Sequence, residues 1–402
     1  MTGITRRTLV QSIGAAASLG PFAVGGAAAQ AHKGDVIIGA SQPITGIFSF
    51  AGVAMNHAFN DFVTWKNAAG GVAGRKLRYV SEDSGFKLDQ GVAIFKKIMA
   101  AEKPSFFFGD STPWSKAVAQ DARASGHVIT SSPSLAGALA DPAGMPHHFV
   151  PGSTYGQLQE ILMEYIARSA RGAAAKPSIA YVYSDGEFGR DGIPAGKARA
   201  QKLGLNIVGE IITRQAGVDV PPEVAKLRRM RPDIVIFQGY LVAPIPEFVR
   251  QLREAGLNPQ IMATAWALDR GTYEAVGALG TRLTGVSTYR YPHETADSPM
   301  MAIIRDQLAK SRPDFKHVSP YYICAWLCGM VYAEIAERCL KANKPLNLAN
   351  MKAAMESMTA FDTGGLAGLL ADLSGHQIAS GRIYAYDPDK KTMEPASGWI
   401  KA

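Results

Sequence analysis

Three cysteines in 402 residues are too few for a disulfide-stapled scaffold, and none stands in a CxxC or Cys/His spacing that would hold a metal. Cys324, Cys328 and Cys339 all fall in one apolar stretch, Tyr321 to Leu340, and read as small buried hydrophobes. Cys324 and Cys328, four apart on one helical face, do not by themselves make a good disulfide geometry. Past the N-terminus no run of about 20 bulky apolar residues occurs, which excludes a multi-span membrane protein. No Gly-x-Gly-x-x-Gly follows a strand-like run and no Walker sequence occurs, so nucleotide-dependent enzymes find no support and no cofactor is implied. Histidine is scattered. The adjacent His147 and His148 would point to different sides of a strand, which argues against a shared metal ion.

What is present is an ordinary globular composition, 47% hydrophobic, spread over a length that suggests two domains. The first residues differ from the rest. Thr5-Arg6-Arg7-Thr8-Leu9-Val10 resembles a twin-arginine n-region, although Leu9 and Gln11 fit that pattern loosely. Ile13 to Ala29 is Ala/Gly-rich and apolar, and Ala27-Ala28-Ala29 offers the small residues a signal peptidase accepts. Residues 1–29 are therefore expected to be an export signal, leaving a mature chain that starts near Gln30, free in the periplasm. With no cysteine near the cleavage site, a lipid anchor is not expected. Cleavage removes Arg6 and Arg7 from the 42 basic residues and none of the 34 acids, so the formal charge of +8 falls by two. The densest basic cluster, Lys226 to Arg231, sits at a predicted helix end, where cations complement the dipole. No aromatic-interleaved basic stripe points to nucleic acid.

From Asp35 onward, short apolar runs alternate with amphipathic segments. The strand-like runs are 36–40, 77–81, 105–108, 127–130, 179–183, 207–211, 234–237 and 261–264, with helical patterns such as Met55, Phe59, Phe62 and Val63 between them. This alternation predicts an α/β fold, parallel sheets with helices on both faces. Breaks at Pro151-Gly152-Ser153 and 171–177 bracket a predicted helix over 155–168, after which the alternation restarts as a second doubly wound domain. Ligands of open parallel sheets sit beyond the carboxyl ends of the strands. There the first half places Ser41 to Phe48, Gly109 to Ser115, and Ser131 to Ser134. Thr112 before Pro113 has the order that opens a helix, and hydroxyls ahead of helices suit a carboxylate. The second half places Phe188, Tyr240 and Trp266 at matching positions, as aromatic platforms on the facing wall.

These residues resemble the periplasmic solute-binding proteins of branched-chain amino-acid-type ABC importers, the leucine/isoleucine/valine-binding protein family. Gly39 to Gly52 is similar to that family's opening pattern, and Asn67 to Lys76 (NAAGGVAGRK) to its Gly-Gly motif. Glu82-Asp83 and Tyr183 to Gly189 match two further segments, and the similarity runs from about Lys33 to the C-terminus. The resemblance implies two Rossmann-like doubly wound lobes joined by three crossover segments, the type I periplasmic binding fold, hinged like a trap. Carried over, the crossovers fall near 150–153, 286–291 and 361–365. The N-terminal lobe is then 33–151 plus 288–362, and the C-terminal lobe 152–287 plus 363–402. It also implies ligand contacts at Ser111, Thr112, Trp114, Ser115, Ser132, Ser134, Phe188 and Tyr240, to which the residues themselves add Phe48 and Trp266 as further aromatic candidates. The partners implied are a small-molecule ligand and ABC permease subunits, the binder itself acting as a monomer.

One departure is informative. The family's acid for a ligand α-ammonium should fall near 265–267, where this chain has Ala265, Trp266 and Ala267. An ammonium buried without an acid costs several kcal/mol, so an α-amino acid is a poor ligand unless Asp269 or Asp185 reaches in. An aromatic or hydrophobic organic acid is expected instead, with His57, Arg123, Arg190 and Arg270 as candidate ion partners. Two alternatives belong to other classes. Gly109-Asp110-Ser111 and Asp314-x-x-His317 match pieces of SGNH-type esterases, with Ser111 as nucleophile. That family's serine block follows its first strand, however, and its Gly-x-Asn-Asp block is absent here. A ligand sensor on the same fold is the other alternative.

Overall fold

The computed structural model describes residues 34–402 apart from 173–175, 215–218, 295, 297 and 316–317. The expected export signal and His317 lie outside the described residues. Strands β1 (Val36–Gln42), β2 (Leu77–Asp83), β3 (Phe106–Phe108) and β4 (Ile129–Ser131) form one fully parallel sheet in the order β2-β1-β3-β4. A second sheet holds β5 (Ser178–Ser184), β6 (Asn206–Thr213), β7 (Ile234–Gln238), β8 (Gln260–Thr264), β9 (Leu283–Ser287), β10 (Ser380–Asp387) and β11 (Thr392–Lys401). Its order is β11-β10-β9-β8-β7-β5-β6, parallel from β5 to β9 and antiparallel at β10 and β11. All eight strand-like runs read from the sequence fall on strands. β9 was instead expected as part of a crossover, and β10 and β11 carry no strong alternation in sequence because their outer faces mix apolar and charged residues.

The helices are α1 (Ser49–Ala68), α2 (Leu88–Glu102), α3 (Thr112–Ala117), α4 (Ala119–Ser125), α5 (Tyr155–Ser169), α6 (Glu187–Arg190), α7 (Ile193–Lys202), α8 (Val220–Met230), α9 (Ile245–Glu254), α10 (Arg270–Val276), α11 (Pro299–Ser311), α12 (Pro320–Lys341) and α13 (Leu348–Glu356). Helix α5 starts on a full capping box: Thr154 accepts from Gln157 N–H, and the Gln157 side chain accepts from Thr154 N–H. Helices α11 to α13 follow β9 in sequence yet pack with α1 and β4, and the chain then returns to the second sheet as β10 and β11. Helix α12 is apolar almost all round because 16 of its 22 residues are buried, the three unpaired cysteines among them. No described helix is long and apolar enough to cross a membrane.

One large core runs through both sheets, from Ile38, Phe59 and Phe108 through Trp326 and Tyr332 to Tyr181, Ile236 and Trp266. Two smaller cores close the outer faces. One gathers Phe95, Phe107 and Trp114 behind the four-stranded sheet, the other Phe237, Tyr240 and Phe248 behind the seven-stranded sheet. Loops at strand carboxyl ends of both sheets line one shared cavity.

Candidate functional site

The cavity has a volume of about 540 Å3 and lies among the loops after β1, β2, β3, β4, β5, β7 and β8, with the N-terminal parts of α1, α5 and α12. At its polar end, β3 runs out into Gly109-Asp110-Ser111. Ser111 caps α3 by accepting from Trp114 N–H at 3.3 Å and donates its own hydroxyl proton to Asp110 Oδ1 at 2.8 Å. Asp110 Oδ2 accepts from the Ser84 hydroxyl at 2.6 Å. Burial pushes the Asp110 carboxyl above the usual range, against the pull of those two hydroxyls. Thr112 and Ser134 share a hydrogen bond of 2.5 Å, and both face the cavity.

The remaining wall is aromatic and aliphatic. Phe48 meets Phe86 edge-on at 4.2 Å between ring centroids. Trp266 stacks on Tyr321 at 4.7 Å and donates its indole N–H to the Tyr155 hydroxyl at 3.1 Å. Phe188 lies 5.1 Å from the Tyr155 ring. Met55 and Leu241 add aliphatic lining. The result is a cleft with hydroxyls at one end and ring faces at the other, the arrangement expected of a site for a small amphipathic ligand.

Six of the ten residues singled out in the sequence line this cavity: Phe48, Ser111, Thr112, Ser134, Phe188 and Trp266. Four do not. Trp114 is fully buried in the outer core, stacked on Phe107 at 5.5 Å, with its indole N–H donating to Gly91 O at 3.2 Å. Gly109 makes this possible, because a Cβ there would sit 1.9 Å from the Trp114 ring. Tyr240 likewise turns into the core behind the second sheet, its hydroxyl 2.6 Å from Thr213 Oγ1. The turn that sends it there needs Gly239, whose φ is 82° and whose Cα side abuts Gly189. Ser115 and Ser132 sit one layer behind the lining, joined at 2.9 Å; Ser115 also bonds Ser111 O at 3.1 Å. They hold the loops that present Ser111 and Ser134.

The charged residues differ more from expectation. Asp185 is exposed and paired with Arg190 at 2.6 Å. Asp269 and Arg270 line a different, polar cavity of about 770 Å3, where Arg270 pairs with Glu274 at 2.6 Å. His57, on α1, packs edge-on against Phe315, and Arg123 bonds Gly144 O, both outside the lining. The cleft's charged residues are Asp110, Lys116 and Glu187, and Lys116 meets Glu187 at 2.5 Å. Sequence reading also missed Met55, Tyr155 and Tyr321, which reach the cavity from helices, and Phe86 and Leu241, which stand just past the carboxyl ends of β2 and β7. Helical periodicity marks the buried face of α12 but not which end of it meets a cleft.

The esterase reading needs an imidazole beside Ser111. Its hydroxyl is engaged by a carboxylate and a helix N–H, and among the described residues no imidazole accepts from it. The matching Asp314 lies in an exposed turn.

Comparison with known proteins agrees with the geometry. A family model described as periplasmic binding protein matches residues 35–392. The Leu/Ile/Val-binding protein homolog 3 of Brucella melitensis is 25% identical over 277 residues, which cover 69% of this chain and 71% of that protein. A branched-chain amino acid ABC transporter protein of Thermus thermophilus, solved with bound valine, superposes with a TM-score of 0.80 at 19% identity, covering 92% of this chain and 97% of that one. A solute-binding protein of an ABC transporter from Rhodopseudomonas palustris BisB5, solved with 3,4-dihydroxybenzoic acid, gives a TM-score of 0.74 at 17% identity, covering 92% and 98%. The chain therefore belongs to the periplasmic binding protein family.

Proposed function

We propose that this protein is the exported, high-affinity solute-binding component of an ABC importer and that its ligand is a small aromatic or hydrophobic carboxylate. The observation that carries the choice over an α-amino acid is the state of the acids in the cleft. Asp110 is held by the hydroxyls of Ser84 and Ser111 and shifted towards its neutral form, and Glu187 is paired with Lys116. Neither offers a free carboxylate to a ligand ammonium, and the position where the family's acid is expected carries Trp266. The hydroxyls of Ser111, Thr112 and Ser134 would take the ligand carboxylate, while Phe48, Phe188, Trp266 and Tyr321 enclose its body. Each stacked ring contact adds on the order of 1 kcal/mol beyond burial. The fold itself accommodates both ligand classes, since related structures hold valine and 3,4-dihydroxybenzoic acid. The selection therefore rests with these side chains.

In this reading the lobes are 33–151 plus 288–362 and 152–287 plus 363–402, and they close on the ligand about the three connecting segments. The packing of α11 to α13 on α1, and the return of the chain to β9 as β10, support that division. The closed form would then dock on permease subunits as a monomer. Titration calorimetry on the mature chain tests the ligand class: benzoate or a substituted benzoate is expected to bind with a measurable heat and leucine is not. Tight leucine binding would overturn the assignment.

A further inference from the structure

Lys116 and Glu187 reach the cavity from opposite sides. Lys116 stands on α3, after β3 of the four-stranded sheet; Glu187 opens α6, after β5 of the seven-stranded sheet. Their charged groups meet at 2.5 Å, and both residues line the ligand space. Lys116 is the single basic residue of that lining among the described residues. With Asp110 occupied by two serine hydroxyls, Glu187 is the carboxylate a ligand would meet. Asp191, four residues further on, also senses the Lys116 charge and accepts from Gly137 N–H at 3.0 Å. Two carboxylates of one wall thus face one ammonium of the other.

Both partners are about half exposed, so the pair contributes little to stability. Its effect is on what may bind. An unpaired carboxylate in the cleft would attract a ligand ammonium and repel a ligand carboxylate; the same carboxylate held by lysine does neither. We propose that Lys116 is a specificity-determining residue that masks Glu187, denying α-amino acids an ammonium partner and keeping the cleft receptive to plain carboxylates. The proposal deepens the ligand assignment above and rests on it. It also accounts for the departure at 265–267: the acid is not missing from the cleft but sits on α6 under a lysine.

The test compares 3-phenylpropanoate with L-phenylalanine, which differ by the α-ammonium alone, by calorimetry on wild type, Lys116→Met, Glu187→Gln and the double variant. Lys116→Met is expected to shift the affinity ratio towards phenylalanine by at least tenfold. Glu187→Gln should bind 3-phenylpropanoate at least as well as wild type and still reject phenylalanine. The double variant should lose the phenylalanine gain. A ratio unchanged within twofold in Lys116→Met, or no phenylalanine binding by that variant, overturns the masking whatever the wild type binds. Preference of the wild type for phenylalanine, by contrast, counts against the ligand assignment itself. Circular dichroism on each variant confirms that a lost heat is not lost folding.

Discussion

Trp114 shows how a single residue decides which side of a sheet an aromatic serves. It follows β3 by the same kind of loop that delivers Ser111 and Thr112 to the cleft, yet its ring lies on the other side, over Gly109 and against Gly91. A methyl at position 109 would stand 1.9 Å from that ring, so Gly109→Ala must drive Trp114 out of its seat. Overpacking of this kind costs about 1–3 kcal/mol, and loss of the indole bond adds about 1 kcal/mol. Urea unfolding of Gly109→Ala is expected to show a loss of about 2–4 kcal/mol, and the same substitution made in a Trp114→Ala background is expected to cost much less. A midpoint equal to wild type would place the indole elsewhere. Nothing in the local sequence separates Trp114 from Phe188, because both are aromatics a few residues past a strand. What distinguishes them is a contact with Gly91, distant in the chain.

At the scale of elements, the legible part of the fold is the part governed by periodicity. β1, β5 and β7 are apolar nearly throughout because both faces are buried, and α1 and α2 keep their apolar faces on the sheet; all of these read directly from the residues. β9 to β11 do not. β10 pairs with β9 far back in the chain, which leaves no local signature, although β10 and β11 themselves form an antiparallel hairpin. The same divide runs through the site: loops at strand ends could be anticipated, whereas Tyr155 and Tyr321 reach the cavity as the first or second residue of helices whose positions depend on packing. The segment between β4 and α5 carries a consequence of its own. His147 is fully buried, its ring nitrogens have no partner among the described residues, and burial, with the charges of Arg123 and His376 adding, lowers its pKa from 6.5 to about 4. The folded state therefore resists a proton that the unfolded chain accepts. Stability from this group is complete above the unfolded value, falls as pH drops below about 6.5 and levels off below about 4, a loss of roughly 3 kcal/mol. His148, fully buried against Thr130, pulls in the same direction. Urea unfolding at several pH values should show this decline, and His147→Leu should make it shallower while His148 keeps the remainder; an equal slope in that variant would assign the effect to other groups.

For the whole molecule, the continuous core means that ligand bound among the loops of both sheets stabilises one cooperative body. A saturating acid at 100 times its Kd adds about 2.7 kcal/mol by mass action alone. Scanning calorimetry is expected to show a transition temperature that climbs with the concentration of a binding carboxylate and stays fixed with leucine; a panel of aromatic acids without effect would speak against the assignment. The thiols of α12 bear on how such measurements can be made. Cys324, Cys328 and Cys339 are all buried, and burial raises the pKa of Cys328 and Cys339. Burial keeps alkylating reagents from all three, and in Cys328 and Cys339 the raised pKa also keeps the reactive thiolate scarce. A cysteine placed on the exposed rim of the cleft would then be the one position to take up a maleimide dye, and the protein could be turned into a fluorescent reporter of its own ligand without first removing its native cysteines.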